Sequence, residues 1–217
     1  MALDSYAGLQ AAVGNEVNRA DLTGVIPDLI TRFEARARRE LRDWLTSNLL
    51  LTNIAGDTVL ASTVQEVLSV NYNDGASGAH NFPLDLVSRE QYQNLLEQQS
   101  AVVNPPGQVC YVDVDQDANT ITLRFWPPLG TIANLRVAIV KVLPALSVTQ
   151  TTNALLRDAP DLYLFGSCAE AAKYLQHDER VSLWVSERDQ GFKGLRILAE
   201  RRKYGGVPRP RAAARVF

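Results

Sequence analysis

Cysteine, histidine and methionine are nearly absent from this 217-residue chain, at two, two and one copies. Cys110 and Cys168 lie far apart and form no C-x-x-C pair, so a zinc-ribbon or dithiol reading has no support and free buried thiols in a reducing compartment are expected. His80 and His177 sit at no metal-ligand spacing, each in a polar stretch, and His177 beside Asp178 reads as a helix-junction turn. Without a well-placed histidine, neither a Ser-His-Asp nor a Cys-His arrangement can be assembled. Cys168 falls on an apolar helix face, where a thiol packs rather than attacks. Long apolar runs are missing too: nothing approaches the roughly 18 residues that span a bilayer. The opening MALDSYAGLQ has neither the basic nor the apolar region of a secretion signal. Gly75 and Gly78 complete no phosphate-binding loop. These absences lead us to expect a non-enzymatic protein with no cofactor, made in the cytosol or used in a particle assembled there.

What is present is ordinary in bulk and lopsided in detail. Hydrophobic residues make up 46% and charged residues 21%, values of a globular chain, and the net charge is -2. From Phe192 onward, however, eight basic residues face the single acid Glu200, so this end carries +7 and the rest about −9. Such a split marks an interaction segment.

Hydrophobic periodicity divides the chain into helical ends and a strand-rich middle. Tyr6, Leu9, Val13 and Val17 recur at helical spacing behind Asp4 or Ser5 as N-cap. Pro27 opens a second helix with one face of Ile26, Ile30, Phe33, Ala37, Leu41, Trp44 and Leu45, and an opposite charged face that includes Arg32, Glu34, Arg36, Arg39 and Glu40. Residues 49–54 and 59–61 read as a hairpin around Gly56-Asp57, followed by a strand over 64–71. Ser88-Arg89-Glu90-Gln91 has the form of a capping box, predicting a short helix over 88–98. Residues 108–114 and 120–125 form the strongest hairpin, and the β-branched run 135–143 reads as a buried strand. Beyond Pro144, a short helix over 153–158 precedes a helix opened by Pro160, with a face of Leu162, Phe165, Cys168 (or Ala169), Ala172 and Leu175. The last helix carries a stripe of Val181, Trp184, Val185, Phe192, Leu195 and Leu198, and Gly191 and Gly194 allow a kink. The expected fold class is α+β: a helical bundle from both ends of the chain, residues 1–47 and 147–203, an inserted β-rich subdomain over 48–146 with one short helix, and an extended arm over 204–217.

Two segments invite a chemical reading. Asp113-Val114-Asp115-Gln116-Asp117-Ala118-Asn119 resembles the start of a calcium loop, but Ala118 stands where the turn needs glycine and Arg124 where a bidentate Glu belongs. A hairpin turn whose side chains cap their own backbone is the better account, and no metal is expected. The arm is the second. Pro208 and Pro210 keep it extended, Arg209, Arg211 and Arg215 suit carboxylates, and Val216 and Phe217 would anchor it in a pocket of a partner protein. The alternative is a nucleic-acid-binding module gripping phosphates through the same basic residues.

The stretch TTNALLRDAPDLYLFGSCAEAAKYLQHDER, residues 151–180, resembles the head–tail adaptors (connector or head-completion proteins) of short-tailed and related phages. It carries T-x-x-L-L-x-x-x-P-D-L-Y-L, then E-A-A-x-Y-L and D-E-R. Tyr6-Ala7-Gly8-Leu9-Gln10, Ile26-Pro27-Asp28-Leu29-Ile30, Glu34-Ala35-Arg36 and Arg202-Lys203-Tyr204-Gly205-Gly206 extend the likeness in the same order. The resemblance implies a homo-oligomeric ring, usually dodecameric, in the virion at the head–tail interface and assembled in the host bacterial cytoplasm. Its partners would be the portal, a tail or nozzle protein and further copies of itself, with packaged DNA passing through the lumen without sequence-specific binding. Carried onto this chain, Tyr204, Arg209, Arg211, Arg215, Val216 and Phe217 would reach the portal, and Arg32, Arg36, Arg39 and Glu40 would meet a neighbouring subunit.

Overall fold

The computed structural model describes residues 3–54, 56–73, 81–97, 109–128, 133–175 and 180–203. It is an α+β protein, and its contacts divide the chain into two units: Met1–Leu45 with Leu143–Phe217, and Thr46–Val142.

The first unit is helical. Helix α1 (Tyr6–Val17) starts where Ser5 accepts a hydrogen bond from the Gly8 amide at 3.2 Å and ends at Asn18 in the left-handed conformation. Its buried residues are Tyr6, Leu9, Val13 and Val17, the stripe its sequence shows. Helix α2 (Ile26–Glu40) follows a short 3₁₀ turn, with Pro27 in its first turn, where a missing N–H costs nothing. After the second unit come α4 (Ala154–Asp158), α5 (Pro160–Leu175) and α6 (Val181–Lys203); the remaining helix, α3 (Arg89–Glu97), belongs to the second unit. Helix α5 is the hub, packing on α1, α2, α4 and α6. It is therefore buried on most sides, through Leu162, Tyr163, Gly166, Ser167, Cys168, Ala169, Ala171 and Ala172, and not along the single stripe its period suggests. A Cβ on Gly166 would land inside the Phe33 ring, and one on Gly191 would lie 3.0 Å from the Leu162 side chain. Gly191 thus serves the α5–α6 approach, and α6 runs through it unbroken. The α6 stripe also differs from its sequence reading: Leu198 is exposed, while Arg188 and Ala199 are buried.

The second unit is a seven-stranded sheet. In chain order its strands are β1 (Thr46–Ile54), β2 (Thr58–Leu60), β3 (Val64–Asn73), β4 (Asn81–Val87), β5 (Val109–Asp115), β6 (Thr120–Trp126) and β7 (Ala133–Lys141), with spatial order β1-β7-β3-β4-β5-β6-β2. All neighbours are antiparallel except β4 and β5, whose parallel pairing needs a crossover, and α3 (Arg89–Glu97) lies in it. One core gathers the inward residues of the strands, among them Leu60, Val67, Val70, Leu84, Leu123, Phe125, Leu135 and Val137. Alternation fixes that register, because a one-residue slip would turn these side chains to the wrong face.

Two strand expectations fail here. Residues 49–54 and 59–61 form no hairpin: β1 pairs with β7, β2 pairs with β6, and the two occupy opposite edges of the sheet. The Gly-Asp turn is only a local signal, and both strands find better apolar partners farther along the chain. Strand β4 has no counterpart in the sequence reading, and it contains Pro83, which cannot donate to a ladder. The first half of β4 pairs with β3 and the second half with β5, so Pro83, opposite Asn71, needs to donate on one side at most. The capping box is present as expected: Gln91 N donates to Ser88 Oγ at 3.3 Å, and Ser88 N donates to Gln91 Oε1 at 2.9 Å.

Candidate interaction surfaces

Several described residues of the fragments that carry the resemblance come together inside the helical unit. Glu34, grouped above with the solvated face of α2, is in fact only 1% exposed. Its Oε1 accepts from the Leu146 amide at 2.8 Å and from the Tyr163 hydroxyl at 2.9 Å. Asn153 caps α4 through Leu156 N, and its Nδ2 donates to the Tyr163 hydroxyl at 2.7 Å and to the Pro144 carbonyl at 2.8 Å. Glu34 Oε2 is buried without a hydrogen-bond partner. Burial raises the Glu34 carboxyl above its ordinary value, opposed by the Leu146 amide, the Tyr163 hydroxyl and the charge of Arg38. Burial, then the neighbouring carboxylate, raises the Tyr163 phenol as well. The position of Glu34 was readable: it lies four residues after Ile30 and three before Ala37, on the apolar stripe itself. This cluster ties α2, the segment entering α4, and α5 together. It is a structural junction, sealed from solvent, and no substrate can reach it.

Arg180, in the D-E-R fragment, has a comparable part. Its guanidinium donates to the carbonyls of Glu16 and Val17 at 2.8 and 3.1 Å, satisfying the last turn of α1, and lies 4.7 Å over the Trp184 ring. His177 and Asp178 lie outside the described residues, as does His80.

Two of the charged residues of α2 are tethered to other helices. Arg36 reaches Glu170 of α5 at 3.4 Å, and Glu40 pairs with Arg196 of α6. These charges therefore meet other helices. Arg32 and Arg39 are exposed. Along α6 the final turn presents Arg201, Arg202 and Lys203, all exposed, where cations complement the helix dipole. The arm residues Tyr204, Arg209, Arg211, Arg215, Val216 and Phe217 lie outside the described residues. An open groove of about 700 Å³ runs beside α1, floored by Ala7, Ala11 and Gly14 and rimmed by Asn18 and Arg19. Arg19 is held by Asp21 at 2.8 Å, so the groove offers amides and small side chains and little charge.

The acidic hairpin tip of the second unit is occupied by its own chain. Asp115 Oδ1 accepts from the Asp117 and Ala118 amides, both at 3.0 Å, while Asp113 pairs with Arg124 at 2.9 Å. Asn119 takes the left-handed conformation that closes the turn. Among the described residues no group of three or more His, Cys, Asp or Glu side chains is arranged to hold a metal ion. Cys110 and Cys168 are buried, and burial pushes the Cys110 thiol up to about 12, far from a reactive thiolate.

A family model for the SU10 adaptor protein matches residues 4–213, across both units. The chain belongs to the SU10 adaptor protein family. This is a family of phage head–tail adaptors, structural and not enzymatic in character, and the chain is accordingly a phage structural adaptor. A search of curated proteins finds no match. In this SU10-family chain, four residues of the fragments that carry the likeness help to hold the helical unit together: Glu34, Asn153 and Tyr163 in one junction, and Arg180 at the end of α1.

Proposed function

We propose that this SU10-family adaptor is the subunit of a homo-oligomeric ring, a dodecamer, that docks on the portal at the head–tail interface of the virion. There it extends the DNA channel and offers the platform for a tail or nozzle protein. The observation that carries the proposal is a family match that spans both units and continues to residue 213, into the basic arm. The charge split supports it: a channel wall should not grip phosphates, and the chain before Phe192 carries about −9. The arm, through Tyr204, Arg209, Arg211, Arg215, Val216 and Phe217, would fold onto the portal, its affinity multiplied by ring valency. The α2 face of Arg32, Arg36, Arg39 and Glu40 would meet the next subunit, with Arg36 and Glu40 already positioned by Glu170 and Arg196.

Electron microscopy of the full chain mixed with its portal tests this reading. A ring on the narrow end of the portal is expected, lost when residues 204–217 are deleted. Attachment that survives the deletion refutes the arm assignment, and no association refutes the whole. The basic segment also favours a second reading, nucleic-acid binding. That reading requires DNA retention at physiological salt that falls steeply as salt rises.

A further inference from the structure

Of the two glycines inside α6, Gly191 is explained by its approach to Leu162, whereas a Cβ on Gly194 would meet nothing within 4 Å. Gly194 is exposed. Glycine in the middle of an exposed helix is less stable than alanine, because it loses more backbone freedom on folding. No packing among the described residues requires it at this position. What it offers is bare backbone that another surface can approach closely.

The neighbours of Gly194 point the same way. Ile197 and Leu198 stand three and four residues further on, and Arg201 seven, so all four share one side of the helix. That side faces away from the buried residues Phe192, Leu195 and Ala199. Ile197 is 41% and Leu198 42% exposed, and Lys193 and Arg201 are exposed beside them. The patch is a notch next to two apolar side chains, with positive charge at its rim.

An acidic element with an apolar residue of its own fits such a patch, and the chain holds one. Residues 114–119, the tip of the β5–β6 hairpin, are all exposed, Val114 at 54%. They include Asp115 and Asp117 and no basic residue. The tip belongs to a unit with nine acidic residues against four basic, whereas the chain from Phe192 onward holds eight basic against one acidic. Asp115 and Asn119 already fix the turn, so little order has to be gained on docking. The arm that follows α6 carries the wrong sign for this patch. A phosphate backbone would leave its apolar side chains in water.

We propose that this face of α6 receives the β5–β6 hairpin tip of a second copy. Val114 would lie against Gly194, Ile197 and Leu198, and the two aspartates would meet Lys193 and Arg201. The contact is heterologous: each copy gives one tip and receives another, so it can repeat around a ring whose copies all face the same way. The proposal deepens the ring reading and rests on it, adding a lateral contact apart from the charged face of α2.

A mixture of two full-length variants, Gln116→Cys and Ile197→Cys, assembled on the portal reads the contact between copies. Cys110 and Cys168 are buried, so a short bismaleimide should join only the new thiols. A two-chain product is expected from the mixture and from neither variant alone. Asp117→Lys and Arg201→Glu should each weaken ring assembly at least about tenfold, and the two together should restore most of it. Gly194→Leu, at an open site, should weaken assembly as much while the thermal midpoint does not fall. Rings that form without the cross-link, or that ignore Gly194→Leu and both charge reversals, would overturn the proposal and leave the ring reading standing. A loss at Arg201→Glu that Asp117→Lys does not rescue would assign this face to the portal instead. Absence of any ring from the unaltered chain would remove both readings.

Discussion

Glu34, Asn153, Ser167 and Arg188, the buried polar side chains among the described residues, all lie in the helical unit, whereas the sheet unit closes on an apolar core. The two regions reach a unique structure by different means. Strand alternation sets the sheet: each inward residue contributes a little, and register makes the contributions agree. The helices have no such register, and their mutual positions depend on a few specific contacts around α5. A buried hydrogen-bonded cluster and a glycine under an aromatic ring each permit one arrangement and penalise the rest. The contrast teaches that the helical unit should answer sharply to single changes and the sheet unit gradually.

The largest effect is expected at Gly166. Alanine there would gain about 1 kcal/mol in helix propensity. Its Cβ would nevertheless collide with Phe33, whose ring also touches Tyr163 and Phe192 at 5.2 and 6.1 Å between centroids. Overpacking at this hub should give a net loss of about 3 kcal/mol in urea denaturation, relieved in part by adding Phe33→Leu. Gly56→Ala in the sheet unit, where a Cβ meets nothing within 4 Å, should leave the midpoint nearly unchanged. Equal effects at the two glycines would break the comparison.

Next comes the Glu34 junction. Tyr163→Phe removes the hydroxyl shared by Glu34 and Asn153 and should cost roughly 1 to 3 kcal/mol by leaving both short of a partner. Its pH behaviour has a defined sign. The folded carboxyl titrates above its ordinary value of 4.5, so the fold binds this proton more tightly than the unfolded chain does. The resulting stability is fully present below about pH 4.5 and is lost as pH rises through the folded value. Glu34→Gln, which keeps an acceptor for Leu146 and Tyr163, should flatten that part of the stability profile. An unchanged slope in the variant would show that Glu34 is not the titrating group.

How much of this was legible beforehand follows from the same contrast. The stripe of α1, the capping box at Ser88 and the hairpin of β5 and β6 are local patterns, and each appears in the structure where the sequence places it. The partner of β1 was not legible, because nothing in TSNLLLTNI names a strand more than eighty residues away. Glu34 was misplaced because a charged letter on a helix reads as solvent-facing, although its spacing from Ile30 and Ala37 puts it on the apolar stripe. Helix α5 defeated a one-stripe reading because it is enclosed by four helices. Of the candidate surfaces, the α2 charges could be named from sequence, but the tethering of Arg36 and Glu40 to α5 and α6 could not.

The smallest effect sharpens the sheet side of the comparison. Ser88→Ala removes the N-cap of α3 and leaves the Gln91 amide without its 3.3 Å acceptor. The site is exposed, so water replaces the lost oxygen, and the cost should be about 1 kcal/mol by chemical denaturation. Helix α3 keeps its other attachment, Tyr92 packed with Val109 and Trp126 and stacked on Tyr111 at 5.3 Å, so hydrogen exchange should quicken in its first turn and not in β5 or β6. A loss above about 2 kcal/mol, or faster exchange across the strands, would mean that the sheet unit also hangs on one polar contact. The distinction between the two units would then have to rest on packing alone.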